Sequence, residues 1–503
     1  MTFRLFDFLQ QRADIAPHRQ AAEDLATGLK LTYGELNERS GQTATLLNEW
    51  GISPGDRVAL LCRNRVEFFE ILFACARLQA ILVPLNWRMP ASELSGLLAD
   101  CGANLLLHGQ EDAATAQELT GKNLHLVNID ARGERGFATM RDSSPALITN
   151  QDWSTEATWY LLYTSGTTGQ PKAVIQTFGM AFANYVNISQ GMGLSGDDTT
   201  LCYLPMFHSG GINLTALPAL IMGAKVLFTP GFDEDQVIEL IESNRLTTFF
   251  GVPAIYQAIS LHPRFGQLDL SRVRCWGCGG AAISDELLKR FAARGAVVLN
   301  GMGMTETGPT AFLMDAAMAA RKVGSVGKPQ VLCKVRLVDS DGQDVARGET
   351  GEVWFSGAGI TPGYYQNPEA TAEALPDGKW LRSGDLGRQD EDGYYYIVGR
   401  LKDMYISGGE NVYAAEVENQ LASHPAILEA AVIGIVDERW GETGCAYLLL
   451  RPGQVMPTLA ELGQFLRNRL AAYKLPRKVI EVQDFPRTAA GKIQKHLLSR
   501  TPE

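Results

Sequence analysis

A run of hydroxyl and glycine residues that closes on a lysine offers the clearest chemistry in the 503-residue sequence. An apolar, β-prone stretch from Trp159 to Tyr163 leads directly into it. Its members are Thr164, Ser165, Gly166, Thr167, Thr168, Gly169 and Lys172. Hydroxyls and exposed amides donate hydrogen bonds to phosphate oxygens, glycine lets the backbone come close, and lysine adds a positive charge. The sequence therefore predicts a phosphate-binding loop, with a polar surface turn as the alternative.

The spacing of this loop is not that of a Walker loop. A Walker loop places Gly-Lys-Ser/Thr five residues after its first glycine, where this chain has Pro171-Lys172-Ala173 after Gly166. The loop is therefore predicted to bind a nucleotide in another way.

Carboxylates farther along the chain could complete a nucleotide site. Thr305 offers a hydroxyl to phosphate, and Glu306 offers the hard oxygen that the magnesium accompanying ATP prefers. Asp385 can accept both hydroxyls of a ribose, and Arg400 can add a charge-assisted bond to the same sugar or its phosphate. The structural alternatives are a helix cap for Thr305 and Glu306 and a solvated loop carboxylate for Asp385.

Phe207 and His208 follow a strand-like run that stops at Pro205. Ligands of open α/β sheets bind beyond the carboxyl ends of strands, so these two side chains can wall a pocket. On the residues alone, a histidine with satisfied hydrogen bonds in the core is the stronger reading.

The motifs together resemble the adenylate-forming superfamily of acyl-CoA synthetases, adenylation domains and luciferases. They keep the order used in that family and span nearly the whole chain. Besides the phosphate loop they are Gly301-Met302-Gly303-Met304-Thr305-Glu306, Ser383-Gly384-Asp385 to Gly399-Arg400, Ser407-Gly408-Gly409-Glu410-Asn411, and Pro486-Arg487-Thr488 to Gly491-Lys492.

The resemblance implies a role for each matching residue. For catalysis it implies Lys492, which would bridge the acyl carboxylate and the α-phosphate, with Thr305 and His208. For ATP and AMP it implies the phosphate loop with Lys172, then Gly279, Gly280, Ala281, Gly301, Met302, Gly303, Met304, Thr305, Asp385, Ile397, Arg400 and Lys492, and for the metal Glu306. For the acyl pocket it implies Phe207, His208, Asn213, Val252, Gly277 and Gly303, and for a CoA tunnel Ser407, Gly408 and Gly409. Many relatives carry tyrosine in place of Met302, so a thioether would have to pack against adenine here.

Helix-like and strand-like segments alternate through the first 150 residues, which predicts parallel sheets with crossover helices. The run from Asp56 to Leu61 predicts a buried strand, and the amphipathic pattern from Arg65 to Leu78 predicts a helix. Near the C-terminus, a further helix is predicted from Leu459 to Leu470. The α/β fold implied by the family has a large N-terminal domain of such sheets, a β-barrel-like subdomain and a small mobile α+β C-terminal domain. The expected boundaries are 1–399 for the large domain, 400–402 for a hinge at Lys402, and 403–503 for the small domain that carries Lys492.

The composition limits the partners. A net charge of −11 argues against nucleic acid, whose phosphates demand a positive face. With no apolar run of about 18 residues and no apolar signal region, we expect neither a membrane span nor export, and we place the chain in the cytoplasm as a monomer or homodimer. Cys275 and Cys278 have the only Cys-x-x-Cys spacing and are predicted to be buried thiols on a strand rather than zinc ligands.

Together with the residues described above, the resemblance implies an ATP-dependent ligase with ATP, Mg²⁺ and CoA. A carboxylate attacks the α-phosphorus of ATP, pyrophosphate leaves, and the CoA thiol then displaces AMP from the acyl-adenylate. The run from Phe207 to Asn213 is most similar to synthetases for hydroxycinnamates such as ferulate, or for medium-chain and long-chain fatty acids. The alternatives are a carrier-loading adenylation enzyme, a luciferase and a nucleotide-binding scaffold without activity.

Overall fold

The computed structural model describes residues 4–119, 124–148, 152–165, 171–280, 283–467, 469–488 and 491–498. Within these residues the strands form five sheets, the smallest of which pairs Arg4–Leu5 with Trp153–Ser154. None of the helices found in these ranges is long and apolar enough to cross a membrane.

The first sheet carries the strand that leads into the phosphate loop. In spatial order its described strands are Pro171–Thr177, Thr158–Ser165, Ile81–Pro84, Arg57–Leu61, Leu105–His108 and His125–Asn128. All neighbours are parallel except the first pair. The strands at its centre are buried almost throughout, as expected for a parallel sheet with both faces covered by helices.

The second sheet continues the same architecture. In spatial order its described strands are Lys328–Pro329, Phe312–Leu313, Val298–Met302, Cys275–Cys278, Thr248–Gly251, Thr199–Cys202, Lys225–Phe228, Gln20–Asp24 and Lys30–Thr32. The strands from Val298–Met302 to Gln20–Asp24 run parallel, so their carboxyl ends meet at one edge. Cys275 and Cys278 are buried on their strand, as predicted.

Two antiparallel sheets follow. The third consists of Cys333–Val338, Thr350–Gly357, Leu381–Gln389 and Tyr395–Arg400, and it stands where the sequence predicts a β-barrel-like subdomain. The fourth contains Glu410–Val412, Tyr405–Ser407, Gly441–Leu450 and Ile427–Asp437, with Lys478–Val482 added in parallel. A single 3₁₀ turn, Leu401–Asp403, joins these two sheets.

Helices cover the sheets. Those described are Phe8–Ile15, Tyr33–Glu49, Glu67–Leu78, Ala91–Cys101, Ala113–Glu118, Phe137–Ser143, Phe178–Met192, Leu217–Met222, Glu234–Glu242, Pro253–Leu261, Asp285–Ala292, Pro368–Ala374, Ala414–Ala422 and Leu459–Leu466. The helix Tyr33–Glu49 begins at a capping box in which Thr32 and Glu35 each accept from the other's backbone N–H. A π-helix, Gly210–Ala216, follows His208 directly.

Candidate active site

The strand Thr158–Ser165 ends at the carboxyl edge of the first sheet, and the predicted phosphate loop begins in its last two residues. Residues 166–170 and 281–282 lie outside the described part of the chain. The site roles of Gly166, Thr167, Thr168, Gly169 and Ala281 therefore stay predictions. Thr164 and Ser165 end the strand, and the Thr164 hydroxyl lies 3.5 Å from the carbonyl oxygen of Lys172. Lys172 therefore lies directly across from Thr164 on the neighbouring antiparallel strand.

A cluster of three side chains lies beside the end of this strand: Lys172, Tyr364 and Glu306. The Lys172 ammonium lies 5.3 Å from the centroid of the Tyr364 ring and 4.0 Å from Glu373 Oε2. The Tyr364 hydroxyl donates to Glu306 Oε1 at 3.0 Å. Burial raises the pKa of Glu306, while the Tyr364 hydrogen bond and the charges of Lys492 and Arg400 oppose that shift. A buried carboxylate in need of positive charge fits the metal-ligand chemistry predicted for Glu306.

The turn that carries Thr305 and Glu306 is fixed by hydrogen bonds from two other elements. Gln176 Nε2 donates to the Thr305 carbonyl at 3.0 Å, and the Thr361 N–H donates to the Glu306 carbonyl at 2.9 Å. The Thr305 hydroxyl lies 3.3 Å from Ser209 Oγ. The turn is a short 3₁₀ segment, so helix capping does not account for these two side chains.

Gly303 is required by the same turn. A Cβ placed there would lie 1.4 Å from the carbonyl oxygen of Pro309, so any other residue would displace the backbone. The glycine therefore lets residues 301–306 fold back tightly.

Asn213 lies in a buried polar network under the Thr305 turn. Its Oδ1 accepts from the Tyr160 hydroxyl at 2.6 Å, and its Nδ2 lies 3.4 Å from Gln176 Oε1. Its carbonyl accepts from Asn184 Nδ2 at 2.6 Å. With both ends of its amide engaged, Asn213 supports the site through Gln176. The acyl contact predicted for Asn213 is not among these bonds.

Asp385 and Arg400 face each other on neighbouring strands of the third sheet. Arg400 Nε donates to Asp385 Oδ1 at 2.9 Å. Asp385 is only 5% exposed, and burial raises its pKa against the opposing charges of Arg400 and Lys492. Of the residues predicted to bind ATP or AMP, Met302, Met304 and Ile397 each pack against the buried core of this sheet.

Lys492 reaches the same site from the C-terminal part of the chain. Its Cε would lie 3.9 Å from a Cβ on Gly280, and a Cβ on the preceding Gly491 would lie 3.5 Å from Val252. Burial, followed by the charge of Arg400, lowers the pKa of Lys492, while Asp385 and Glu306 raise it. Charged residues of both signs thus come together from segments that are distant in sequence, from Glu306 to Lys492.

His208 faces this cluster from the end of the second sheet. Its ring lies 4.7 Å from that of Phe207, which meets Trp87 edge-on at 6.3 Å. The His208 Nε2 is buried and has no hydrogen-bond partner within the described residues. Burial, with smaller effects from Lys492 and Arg88, lowers the pKa of His208 to about 4, so its ring is neutral at pH 7. His208 is therefore not a core histidine with satisfied hydrogen bonds, which was the interpretation favoured by the residues alone.

The remaining predicted residues lie on the small fourth sheet and at its boundary. Gly408 and Gly409 form the turn of a hairpin, both with positive φ, and Ser407 pairs with Glu410 across it. The Gly408 N–H donates to the Trp440 carbonyl at 2.9 Å. Lys402 is exposed in the 3₁₀ turn between the third and fourth sheets.

Comparison with known protein families identifies the family of this chain. A family model described as AMP-binding enzyme matches residues 9–365, and one described as AMP-binding enzyme C-terminal domain matches residues 416–492. The chain belongs to the AMP-binding enzyme family.

Members of this family cover almost the whole chain. A feruloyl-CoA synthase of an Amycolatopsis species is 42% identical over 485 residues, covering 96% of each chain. A long-chain-fatty-acid–CoA ligase of Mycobacterium tuberculosis is 36% identical and covers 97% of each. The O-succinylbenzoate–CoA synthetase of Bacillus subtilis, solved with ATP and magnesium ion, gives a TM-score of 0.87 at 30% identity, with 99% of this chain and 100% of that chain covered.

The predicted fold and enzyme class are therefore confirmed. This AMP-binding enzyme is an AMP-forming acid–CoA ligase, and ATP and CoA are the substrates that fit its family. The described residues contain no group of three or more His, Cys, Asp or Glu side chains placed to hold a metal.

Several residues of this AMP-binding enzyme escaped prediction from sequence. Gln176 and Tyr364 touch the Thr305–Glu306 turn from segments that carry no recognisable motif. Trp440 packs on Gly408 and lies under the guanidinium groups of Arg439 and Arg477, at 5.0 and 5.3 Å from its centroid. Only the run Trp440-Gly441-Glu442 could have drawn attention to Trp440, and it carries no chemistry by itself.

Proposed function

We propose that the protein joins a hydroxycinnamate such as ferulate to CoA. The supporting observation is the meeting of Glu306, Asp385, Arg400 and Lys492 beside the aromatic pair Phe207 and His208. Similarity to a feruloyl-CoA synthase at 42% identity favours an aromatic acid. A fatty acid is the second candidate, because a long-chain-fatty-acid–CoA ligase is 36% identical.

Adenylation joins two anions, so the site has to supply positive charge and alignment. The Lys492 ammonium neutralises charge where the acyl carboxylate meets the α-phosphate. The phosphate loop and Lys172 hold the outer phosphates, and the Thr305 hydroxyl donates to phosphate. Asp385 accepts from the ribose hydroxyls, with Arg400 holding one of its oxygens at 2.9 Å.

Glu306 would hold the Mg²⁺ that arrives with ATP, because its buried carboxylate already lacks compensating charge. When bound, the ion neutralises charge on the departing pyrophosphate. Tyr364 keeps one oxygen of Glu306 oriented, which leaves the carboxylate with one preferred direction for a ligand.

The unpartnered Nε2 of neutral His208 is suited to a hydrogen bond with the acyl group. The Phe207 ring and the edge of Trp87 beyond it give an apolar wall for a planar acid.

Thioester formation needs the small domain, 403–503, to turn about the hinge at 400–402. Lys492 would then withdraw, and the Gly408–Gly409 turn would line the pantetheine tunnel with Ser407. Trp440, flanked by Arg439 and Arg477, offers a stacking face and positive charge for the nucleotide end of CoA. Because ATP and CoA are its co-substrates, the proposed enzyme works in the cytoplasm.

The test is pyrophosphate release from ATP over a panel of acids: acetate, malonate, octanoate, palmitate, benzoate, coumarate and ferulate, each with and without CoA. Fast release with ferulate or coumarate that turns over only with CoA supports the proposal. A preference for octanoate or palmitate replaces it by the fatty-acid candidate, and silence across the panel refutes both.

A further inference from the structure

The strand Leu381–Gln389, which carries Asp385, has a bulge at that residue. Three of its residues, 383–385, stand opposite the single residue Val353 of the neighbouring strand. The pairs that flank the bulge are Glu352 with Leu386 and Trp354 with Arg382. A bulge interrupts the backbone hydrogen bonds of a ladder and changes the direction of the side chains that it carries. The direction of the Asp385 carboxylate therefore depends on what holds this bulge in place.

Side chains replace the backbone hydrogen bonds that the bulge interrupts. The Ser383 hydroxyl donates to the Val353 carbonyl at 2.6 Å and accepts from the Asp385 N–H at 3.0 Å. The Gly384 N–H donates to Glu352 Oε1 at 3.0 Å. Gly384 has a φ of +69°, which glycine adopts without a steric penalty. Glu352 therefore holds, from the opposite strand, the residue directly before Asp385.

The carboxylate of Glu352 is buried and is engaged at both of its oxygens. Its Oε2 accepts from Trp354 Nε1 at 2.8 Å and lies 3.5 Å from Arg382 Nη2. Because each carboxylate oxygen can accept, Glu352 satisfies the Gly384 N–H and the Trp354 N–H at the same time. A glutamine has one accepting oxygen, so in this place it would leave one of the two N–H groups without a partner.

Asp385 is held on its other side by Arg400. Arg400 Nε donates to Asp385 Oδ1 at 2.9 Å from the strand Tyr395–Arg400. The backbone before Asp385 is thus fixed from one neighbouring strand and its carboxylate from the other. Hydrogen bonds weaken steeply when donor and acceptor are misaligned, so a small rotation of the bulge would spoil contacts to two hydroxyls of a rigid sugar.

We propose that Glu352 is a positioning residue for nucleotide recognition. By holding the bulge, it directs the Asp385 carboxylate to both ribose hydroxyls and so sets the preference for ribonucleotides over deoxynucleotides. The proposal rests on the ribose contact of Asp385 in the proposed function and adds the residue that orients it. Glu352 itself need not touch the nucleotide, because it acts through Gly384. A site built to bond a hydroxyl rejects an analogue that lacks it, provided that the acceptor is held in place.

The experiment measures Kd for AMP, 2′-deoxyAMP and 3′-deoxyAMP by isothermal titration calorimetry on the full chain, so it needs no acid substrate. For the native protein, we expect AMP to bind at least about tenfold more tightly than either deoxynucleotide, as for one hydrogen bond to a charged group. In Glu352→Gln, the preference should fall to about threefold or less, because the bulge loses one of its N–H contacts or strains to keep it.

Two control variants and a rescue accompany this measurement. Trp354→Phe removes the indole N–H but keeps an aromatic ring, and it should keep the native preference. Glu349→Gln makes the same chemical change in the turn before the strand, where Glu349 accepts from the Ala346 N–H at 3.0 Å, and should also keep the preference. Glu352→Gln/Trp354→Phe should recover most of the preference, since the single amide oxygen is then left to accept from Gly384.

An unchanged preference in Glu352→Gln, even with a lower melting temperature, overturns the proposal and makes Glu352 purely structural. A matching fall in Glu349→Gln, or no recovery in Glu352→Gln/Trp354→Phe, also overturns it, since general loosening would then be the cause. Should Glu352→Gln not fold, Glu352→Leu/Trp354→Phe is compared with Glu352→Gln/Trp354→Phe. The leucine variant should lack the preference that the glutamine variant keeps, and equal preferences overturn the proposal.

Asp385→Asn separates this inference from the proposed function. If the native protein shows no preference, or if Asp385→Asn keeps it, the ribose contact of Asp385 is refuted and the role of Glu352 with it. Loss of the preference in Asp385→Asn but not in Glu352→Gln overturns the role of Glu352 alone. Because AMP binding is measured without an acid, inactivity of the native protein with every acid refutes the proposed substrate and leaves the result for Glu352 standing.

Discussion

Lys492→Ala tests the assignment on which the proposed adenylation step depends. The substitution removes the ammonium that lies beside Gly280 and interacts electrostatically with Asp385, Glu306 and Arg400. Burial lowers the pKa of this lysine, so the protein holds its charge at a cost in the absence of ligand. A charge kept under those conditions is stabilised when an anion arrives.

The size of the effect follows from Coulomb's law. Two unit charges about 4 Å apart attract by about 4 kcal/mol at an effective dielectric constant of about 20. Since about 1.4 kcal/mol changes a rate tenfold, the upper limit is roughly 10³-fold. Part of this attraction offsets desolvation of the ammonium and is present in the ground state. We therefore expect kcat for adenylation to fall by about 10² to 10³, as when one oxyanion donor is removed.

The assay is pyrophosphate release for adenylation and, separately, thioester formation from synthetic acyl-adenylate and CoA. Lys492→Ala should slow the first reaction and leave the second within about tenfold. Lys495→Ala is the control, because Lys495 lies three residues away and pairs with Glu418 at 2.6 Å. Pyrophosphate release within threefold of the native rate in Lys492→Ala would show that another group neutralises the reacting charge.

Three further substitutions test other parts of the site. Burial raises the pKa of Glu306, so its contribution to stability is full below its ordinary pKa of 4.5 and is lost as pH rises through the folded value. Without ligand, Glu306→Gln should therefore have a higher melting temperature than the native protein at pH 7 but not at pH 4, and it should not catalyse adenylation. Calorimetry at both pH values measures the melting temperatures, and equal values at pH 7 would contradict this prediction. Gln176→Leu leaves Asn213 Nδ2 without its partner and leaves the Thr305 carbonyl with only the Gly308 N–H at 3.4 Å, at about 1–3 kcal/mol, so kcat for adenylation should fall about tenfold with the KM for CoA unchanged. A loss of folding without a change in kcat would make Gln176 purely structural. Gly409→Leu should leave the first burst of pyrophosphate intact, because a Cβ there meets nothing within 4 Å and the strain of a leucine at this positive φ stays within the hairpin turn. It should slow thioester formation at least 10²-fold, because the side chain would fill the proposed tunnel; unimpaired steady-state turnover would remove Gly409 from the tunnel.

The sequence predicted most regular elements because their signals are local. The run Asp56 to Leu61 predicted a strand, found at Arg57–Leu61, and the amphipathic pattern from Arg65 to Leu78 predicted a helix, found at Glu67–Leu78. The helix predicted from Leu459 to Leu470 ends at Leu466, although Leu470 still packs in the same core. Hydrophobic periodicity reports which residues face the core and is a weaker guide to where hydrogen bonding stops.

The site was harder to predict where its contacts join distant segments. Glu306 and Lys492 stand in motifs and could be named in advance, but the partner of Glu306 is Tyr364, which lies in an ordinary loop. The resemblance assigns Asn213 to the acyl pocket, and the partners of its amide, Tyr160 and Gln176, stand far from it in sequence and outside its motif. The π-helix Gly210–Ala216 changes which way side chains point after His208, and spacing alone does not reveal it.

The electrostatics of the site share one cause. Burial raises the pKa of Glu306 and Asp385 and lowers the pKa of His208 and Lys492, so it shifts each group towards its neutral form. At pH 7 the shifts of Glu306, Asp385 and Lys492 disfavour the charged form that each of these groups carries in water, and a ligand of opposite charge would relieve that cost. In the proposed mechanism, ATP with its metal would supply both missing signs: positive charge for Glu306, and phosphate for Lys492. Binding should therefore move the pKa values of Glu306 and Lys492 back towards the charged forms.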